Sequence, residues 1–211
     1  MNGTELATRD RILEAARREF LEKGYKGAWL RDIAKKAGVT TGALYGYFKN
    51  KEELFGALVR EAYEGIQDIY ARTLEGFAAL PAEQQQADME DIAIQATLRM
   101  TNYMYSHRDA FKLILCCSQD TEYADLTERM ARLDEQATSR FAQTTAAAGM
   151  PFQRTTPRLE HILTTGLFTM FFELIVHDVP REEADDYVVS LIHFYTAGCS
   201  RIMGFEPGKT Q

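Results

Sequence analysis

Residues 30–51 read LRDIAKKAGVTTGALYGYFKNK. Leu30, Ile33, Ala34 and Ala37 recur at three- and four-residue spacing, which predicts a short amphipathic helix from Leu30 to Ala37. Gly38 supplies the left-handed turn conformation that ends such a helix. Thr40 is placed to cap a third helix, whose Leu44 and Phe48 lie one turn apart and face back onto Ile33, Ala37 and Val39. Two short helices joined by a glycine turn make a helix-turn-helix. With Leu44 and Phe48 inward, the outer face of the third helix is Thr41, Gly42, Ala43, Tyr45, Gly46 and Tyr47. Gly42 and Gly46 each weaken an isolated helix by about 1 kcal/mol relative to Ala, yet they leave room for close approach to a groove floor.

Working upstream, Thr8 caps a first helix with Ile12, Leu13, Ala16 and Phe20 as its inner stripe and Gly24-Tyr25 as its stop. Arg9, Arg11, Arg17 and Arg18 of that helix point toward solvent. Downstream, the segments 51–75, 84–106, 108–118, 121–148, 156–178 and 181–204 each read as a helix, with breaks at Pro81, Gly149-Met150-Pro151 and Asp178-Val179-Pro180. No alternating β-branched stretch bounded by turn residues occurs. The expected fold is therefore all-α, with an N-terminal three-helix domain over 1–51 and a larger helical domain over 52–211.

The formal net charge of -7 hides an asymmetry. Residues 1–51 hold 11 Lys and Arg against 6 Asp and Glu, a net of +5, while residues 52–211 carry a net of -12. A cationic end of that size suits phosphate binding, and the acidic remainder would be held away from a polyanion. Cys116, Cys117 and Cys199 have no paired spacing, so no disulfide framework is implied and a reducing cytosol is the natural compartment. The start, MNGTELATRDRI, lacks the apolar core of a signal peptide, and the longest apolar run, Ile162 to Val176, contains Glu173. No membrane partner is expected.

Over residues 9–59 the chain resembles the DNA-binding domain of the tetracycline-repressor (TetR) family. The marks are Ile33-Ala34 before Ala37-Gly38-Val39, then Gly42-Ala43-Leu44-Tyr45, Tyr47-Phe48 and Lys51-Glu52-Glu53-Leu54. The resemblance implies that Thr41, Gly42, Ala43 and Gly46 meet base edges or thymine methyls, while Tyr45, Tyr47 and Lys51 meet phosphates. Thr40 would divide its role between cap and phosphate contact. Two departures stand out: Trp29 occupies a position where the family usually has a capping Thr or Ser, and Gly46 one where it often has His, Arg or Trp.

The resemblance also implies a helical ligand-binding and dimerisation domain beyond residue 51, with the last two helices forming a four-helix bundle between two copies. Independently, 156–178 and 181–204 are richer in aromatic and aliphatic residues than one buried stripe requires. A twofold homodimer calls for a palindromic double-stranded operator. The effector pocket is expected to draw on Tyr63, Ile66, Tyr70, Met100, Tyr103, Met104, Phe111, Leu115, Phe168 and Phe172, which suit a small apolar or aromatic molecule. Neither catalytic residues, a metal nor a cofactor is expected. Glu173 and His177 share a helix face, but a di-iron bundle needs Glu-x-x-His pairs, and the chain has none. The reading is a ligand-released repressor; a helical-bundle enzyme and a DNA-binding regulator with no small ligand are its rivals.

Overall fold

The helical periodicity carries through to the fold. A computed structural model describes residues 3–204, and among them the chain forms α1 (Gly3–Gly27), α2 (Leu30–Ala37), α3 (Thr41–Tyr47), α4 (Lys51–Ala78), α5 (Ala82–Ser106), α6 (Arg108–Cys117), α7 (Leu126–Ala147), α8 (Pro157–Val176) and α9 (Arg181–Met203), with no strand. Gly24 breaks the regular turn of α1 with φ 68°, ψ 171°, and Asp178 takes φ 54° in the connection between α8 and α9. Residues 118–125, expected in part to begin the seventh helix, are a run of turns instead. Asp120 is left-handed there (φ 67°), and α7 starts only at Leu126.

The helices divide into two compact units. The first holds the residues up to Gly65 together with His107–Leu126, so it reaches beyond residue 51. An aromatic cluster explains that reach. Phe20 of α1 meets Phe55 of α4 edge-on (5.0 Å between centroids), Tyr25 meets Phe55 (5.3 Å), and Tyr123 of the turn segment meets Phe55 (6.0 Å) and Tyr63 (5.2 Å). Each such pair adds roughly 0.5–1.5 kcal/mol beyond its burial. Ile12, Ala16, Ile33, Leu44, Leu54 and Phe111 complete a core with almost no solvent exposure. At the rim, Arg17 pairs with Asp109 of α6 and Lys26 with Asp120.

The second unit holds Ile66–Ser106 and the residues from Thr127 onward. Its core is built from Met100, Met104, Met130, Phe168, Phe171, Leu174, Ile175 and Val188, all nearly or wholly buried. Tyr105 donates to the carbonyl of Val179 (2.7 Å), and Arg181 bonds Asn102, so the α8–α9 turn is tied to α5. Thr156 caps α8 by accepting from the Leu159 amide (3.3 Å), with Pro157 in the first turn.

In the first unit one buried charge links helices that apolar contact alone would leave free to slide. Glu19 of α1 has no solvent exposure and accepts from Lys23 (2.6 Å) on its own helix and from Lys36 (2.5 Å) on α2. Burial pushes its pKa up, and the two lysine hydrogen bonds with their charges overcome this, leaving it below the usual carboxylate value. A depressed folded-state pKa means the stabilisation is complete above pH of about 4.5 and is lost as pH falls through the folded value. Glu19→Gln is expected to lower stability by about 1–2 kcal/mol at neutral pH, less than a fully enclosed pair because both lysines reach solvent. Urea titrations at several pH values check this: the difference between the two proteins should shrink toward acid, and a gap that stays constant would refute the charge-based origin.

Candidate nucleic-acid interface and ligand cavity

A seven-residue helix is too short to persist alone, so α3 has to be held from outside. Gly38 (φ 69°, ψ 33°) ends α2 with its amide on the carbonyl of Lys35 (3.2 Å), and Val39 returns its amide to Ala34 (3.0 Å). That is the paired-bond stop that reverses a helix in the fewest residues. Thr40, extended at φ -75°, ψ 154°, accepts from the Ala43 amide (3.1 Å) and starts α3. Leu44 and Phe48 are buried beneath it, while Gly42, Ala43, Tyr45 and Gly46 are exposed and Thr41 and Tyr47 half-buried. A β-carbon added at Gly46 would touch nothing, and one at Gly42 only the Thr40 hydroxyl at 4.0 Å. The outer face of α3 is thus low and open, flanked by Tyr45 with 51% of its surface exposed.

Lys51 is arranged differently from its expected phosphate role. Its ammonium lies on the carbonyls of Tyr25 (2.8 Å), Ala28 (3.2 Å) and Lys26 (3.5 Å), and over the Tyr25 ring at 4.5 Å. These carbonyls are left without helical partners where α1 ends, and Lys51 takes them up. Burial holds its pKa below the usual lysine range. Its ammonium is held on these carbonyls, so Lys51 ties α1 to α4 here and is not presented as a free phosphate donor.

Other cations of the first unit are also engaged. Arg17, Arg18, Lys23, Lys26 and Lys36 all pair with carboxylates. Lys36 reaches Glu19 from α2, beside Lys23 of α1. Arg31, Lys35 and Lys49 are exposed and face no acidic partner among the described residues. Trp29 precedes α2 with extended geometry (φ -117°, ψ 128°) and no side-chain cap, and 69% of its surface is exposed.

Within the second unit, a cavity of about 210 Å³ lies among α4, α5, α7, α8 and α9. Of the expected pocket residues, Tyr70, Met100 and Phe168 line it. Seven others do not. Tyr63, Phe111 and Leu115 belong to the first unit, where Tyr63 donates to Asp125 (2.5 Å) and Phe111 is sealed in the core. Ile66, Met104 and Phe172 are filling rather than lining, with Phe172 packed on Phe171 at 5.4 Å, and Tyr103 stands outside the cavity wall. The wall includes Phe77, Phe141, Phe171, Tyr195 and Cys199, none of which the spacing singled out, and one carboxylate, Asp134, bonded by the Tyr70 hydroxyl. His177 pairs with Glu173 (2.6 Å) and His161 with Glu135 (2.9 Å), both away from the cavity wall. No cluster of three or more His, Cys, Asp or Glu side chains able to hold a metal occurs among the described residues. The three cysteines are free thiols.

The model of the family "Bacterial regulatory proteins, tetR family" matches residues 12–58, the stretch from the first buried residue of α1 into α4. The Bacillus subtilis (strain 168) protein "Probable HTH-type transcriptional regulator YttP" is 33% identical over 110 residues, covering 52% of this chain and 50% of YttP. The HTH-type transcriptional regulator TtgR of Pseudomonas putida is 47% identical over 68 residues, 32% of either chain. The matched stretches therefore span half or less of these relatives. Among solved structures, NalD, the secondary repressor of the MexAB-OprM multidrug efflux pump in Pseudomonas aeruginosa, aligns with a TM-score of 0.57 at 21% identity, covering 96% of this chain and 98% of NalD. At that identity the likeness is one of fold.

The uncapped start of α2 generates a direct test. Trp29→Ser places a hydroxyl where the Asp32 amide can reach it, and removes an indole that packs little. Stability should rise by about 1 kcal/mol, read as a higher urea midpoint with unchanged slope. A lower midpoint would show that the indole holds the first unit together.

Proposed function

We propose that the chain, whose residues 12–58 match the tetR-family model, is a TetR-type ligand-responsive transcriptional regulator, a repressor that binds a palindromic operator as a homodimer and releases it when a small molecule fills the cavity of the second unit. The observation that carries this reading is the open outer face of α3; on it Thr41, Gly42, Ala43 and Gly46 would meet base edges and Tyr45 and Tyr47 the backbone. Thr40 combines cap and phosphate contact. Arg31, Lys35 and Lys49, free of acidic partners, supply the phosphate charge that Lys51 does not.

Dimerisation is assigned to α8 and α9. Both leave large apolar side chains outside the single chain, among them Ile162 and Phe194, which are 59% and 70% exposed. Pro157–Val176 is long and apolar enough to cross a bilayer by length and composition alone, and a four-helix contact with a second copy is a cover for such a surface that fits a DNA-binding protein of the cytosol. Release follows from population shift: a ligand preferring one arrangement of the dimer disfavours the other by its differential affinity, typically about 1–3 kcal/mol. The curated relatives, named as HTH-type transcriptional regulators, support the regulator reading.

The test selects a duplex from a random pool and measures affinity against salt. A falling log–log line with a slope of about -0.9 per phosphate neutralised is expected, and a flat line would remove the DNA reading. Gly46→Ala sharpens it. The added methyl meets no protein atom and should stabilise the free protein by up to about 1 kcal/mol, while weakening operator binding severalfold because α3 loses its close approach. Unchanged operator affinity would show that this face of α3 does not touch DNA.

A further inference from the structure

The wall of the cavity is almost wholly apolar and aromatic, and its charge is one-sided. Among its lining residues there is no Lys, Arg, His or Glu, and Asp134 is the only carboxyl group. Asp134 is half-buried and presents surface to the cavity. One of its oxygens accepts from the Tyr70 hydroxyl, and the other has no hydrogen-bond partner among the described residues. The same cavity wall carries the rings of Tyr70, Phe77, Phe141, Phe168, Phe171 and Tyr195.

A half-satisfied carboxylate in an apolar enclosure is a costly arrangement that a ligand can relieve. Burial pushes its pKa up and only the Tyr70 hydrogen bond works against this, so the protein itself supplies no compensating cation. A ligand ammonium would supply both the missing hydrogen bond and the missing charge, and the surrounding rings would attract it through their faces. A ligand carboxylate would meet repulsion from Asp134 and no basic group to offset it. We propose that the cavity selects a small lipophilic amine, its ammonium group on the free oxygen of Asp134 and its apolar body among the aromatic side chains, and that it discriminates against fatty-acid-like anions. This rests on the reading of the cavity as the effector site. Its size, about 210 Å³, is below that of a typical drug-sized cleft, which favours a molecule of one or two rings.

A matched series tests it by calorimetry on the full chain: 4-phenylbutylamine, 4-phenylbutan-1-ol and 4-phenylbutyrate, which share one apolar body. The amine is expected to bind about tenfold tighter than the alcohol, and the carboxylate more weakly than either. In Asp134→Asn the amine and the alcohol should bind within about threefold of each other, whereas Tyr70→Phe, which keeps the carboxylate, should retain the amine preference. Binding of the alcohol or the carboxylate as tightly as the amine would overturn the inference and leave the effector-site reading standing. If none of the three binds, the effector-site reading falls and the inference with it. The ranking in the unaltered protein decides the matter even if Asp134→Asn does not fold.

Discussion

The whole arrangement depends on keeping a seven-residue helix in place while leaving one of its sides bare. Intrahelical hydrogen bonds cannot hold α3, because a nucleus of that length is unfavourable in water. Its permanence comes from Leu44 and Phe48 beneath it, from the Thr40 hydroxyl at its start, and from the Gly38 reversal that presents α2 as its floor. That floor in turn needs α1. Glu19 grips α2 through Lys36, and Lys51 closes the end of α1 through three carbonyls. Much of the first unit can be read as scaffolding for a surface about two turns long.

Several charges that look available for a polyanion therefore have structural duties. A net of +5 over the first 51 residues is a correct description of composition, but five of those cations sit on carboxylates and one on carbonyls. Net charge still sets the long-range field that a polyanion would meet. On the proposed reading, contact would be left to the cations without acidic partners, Arg31, Lys35 and Lys49, and to the tyrosines.

The helix-turn-helix was legible because each of its parts is local. Gly38, Thr40, Leu44 and Phe48 act on neighbours within a few residues, so spacing alone identifies them. What was not legible came from distant parts of the chain. Lys51 meets carbonyls more than twenty residues away, and Tyr123 joins the first unit from far downstream, which is why the compact unit outgrows the motif. The cavity shows the same limit. Aromatic residues at helical spacing line it, as Tyr70 and Phe168 do, or fill the core, as Phe172 does, and only packing separates the two. One signal was present and went unused: Asp134 lies on the stripe of Met130, Ala131, Ala137 and Phe141, where an acid interrupts an otherwise inward-facing apolar row.

Trp29, which leaves the start of α2 uncapped, is also the only tryptophan in the chain. Its indole stands in solvent on the first unit, remote in sequence from every residue of the cavity wall. The protein thus carries a native fluorophore that samples one unit and is absent from the other. Red-edge emission reports on the surroundings of α2 with no label attached, from the unit that does not hold the cavity.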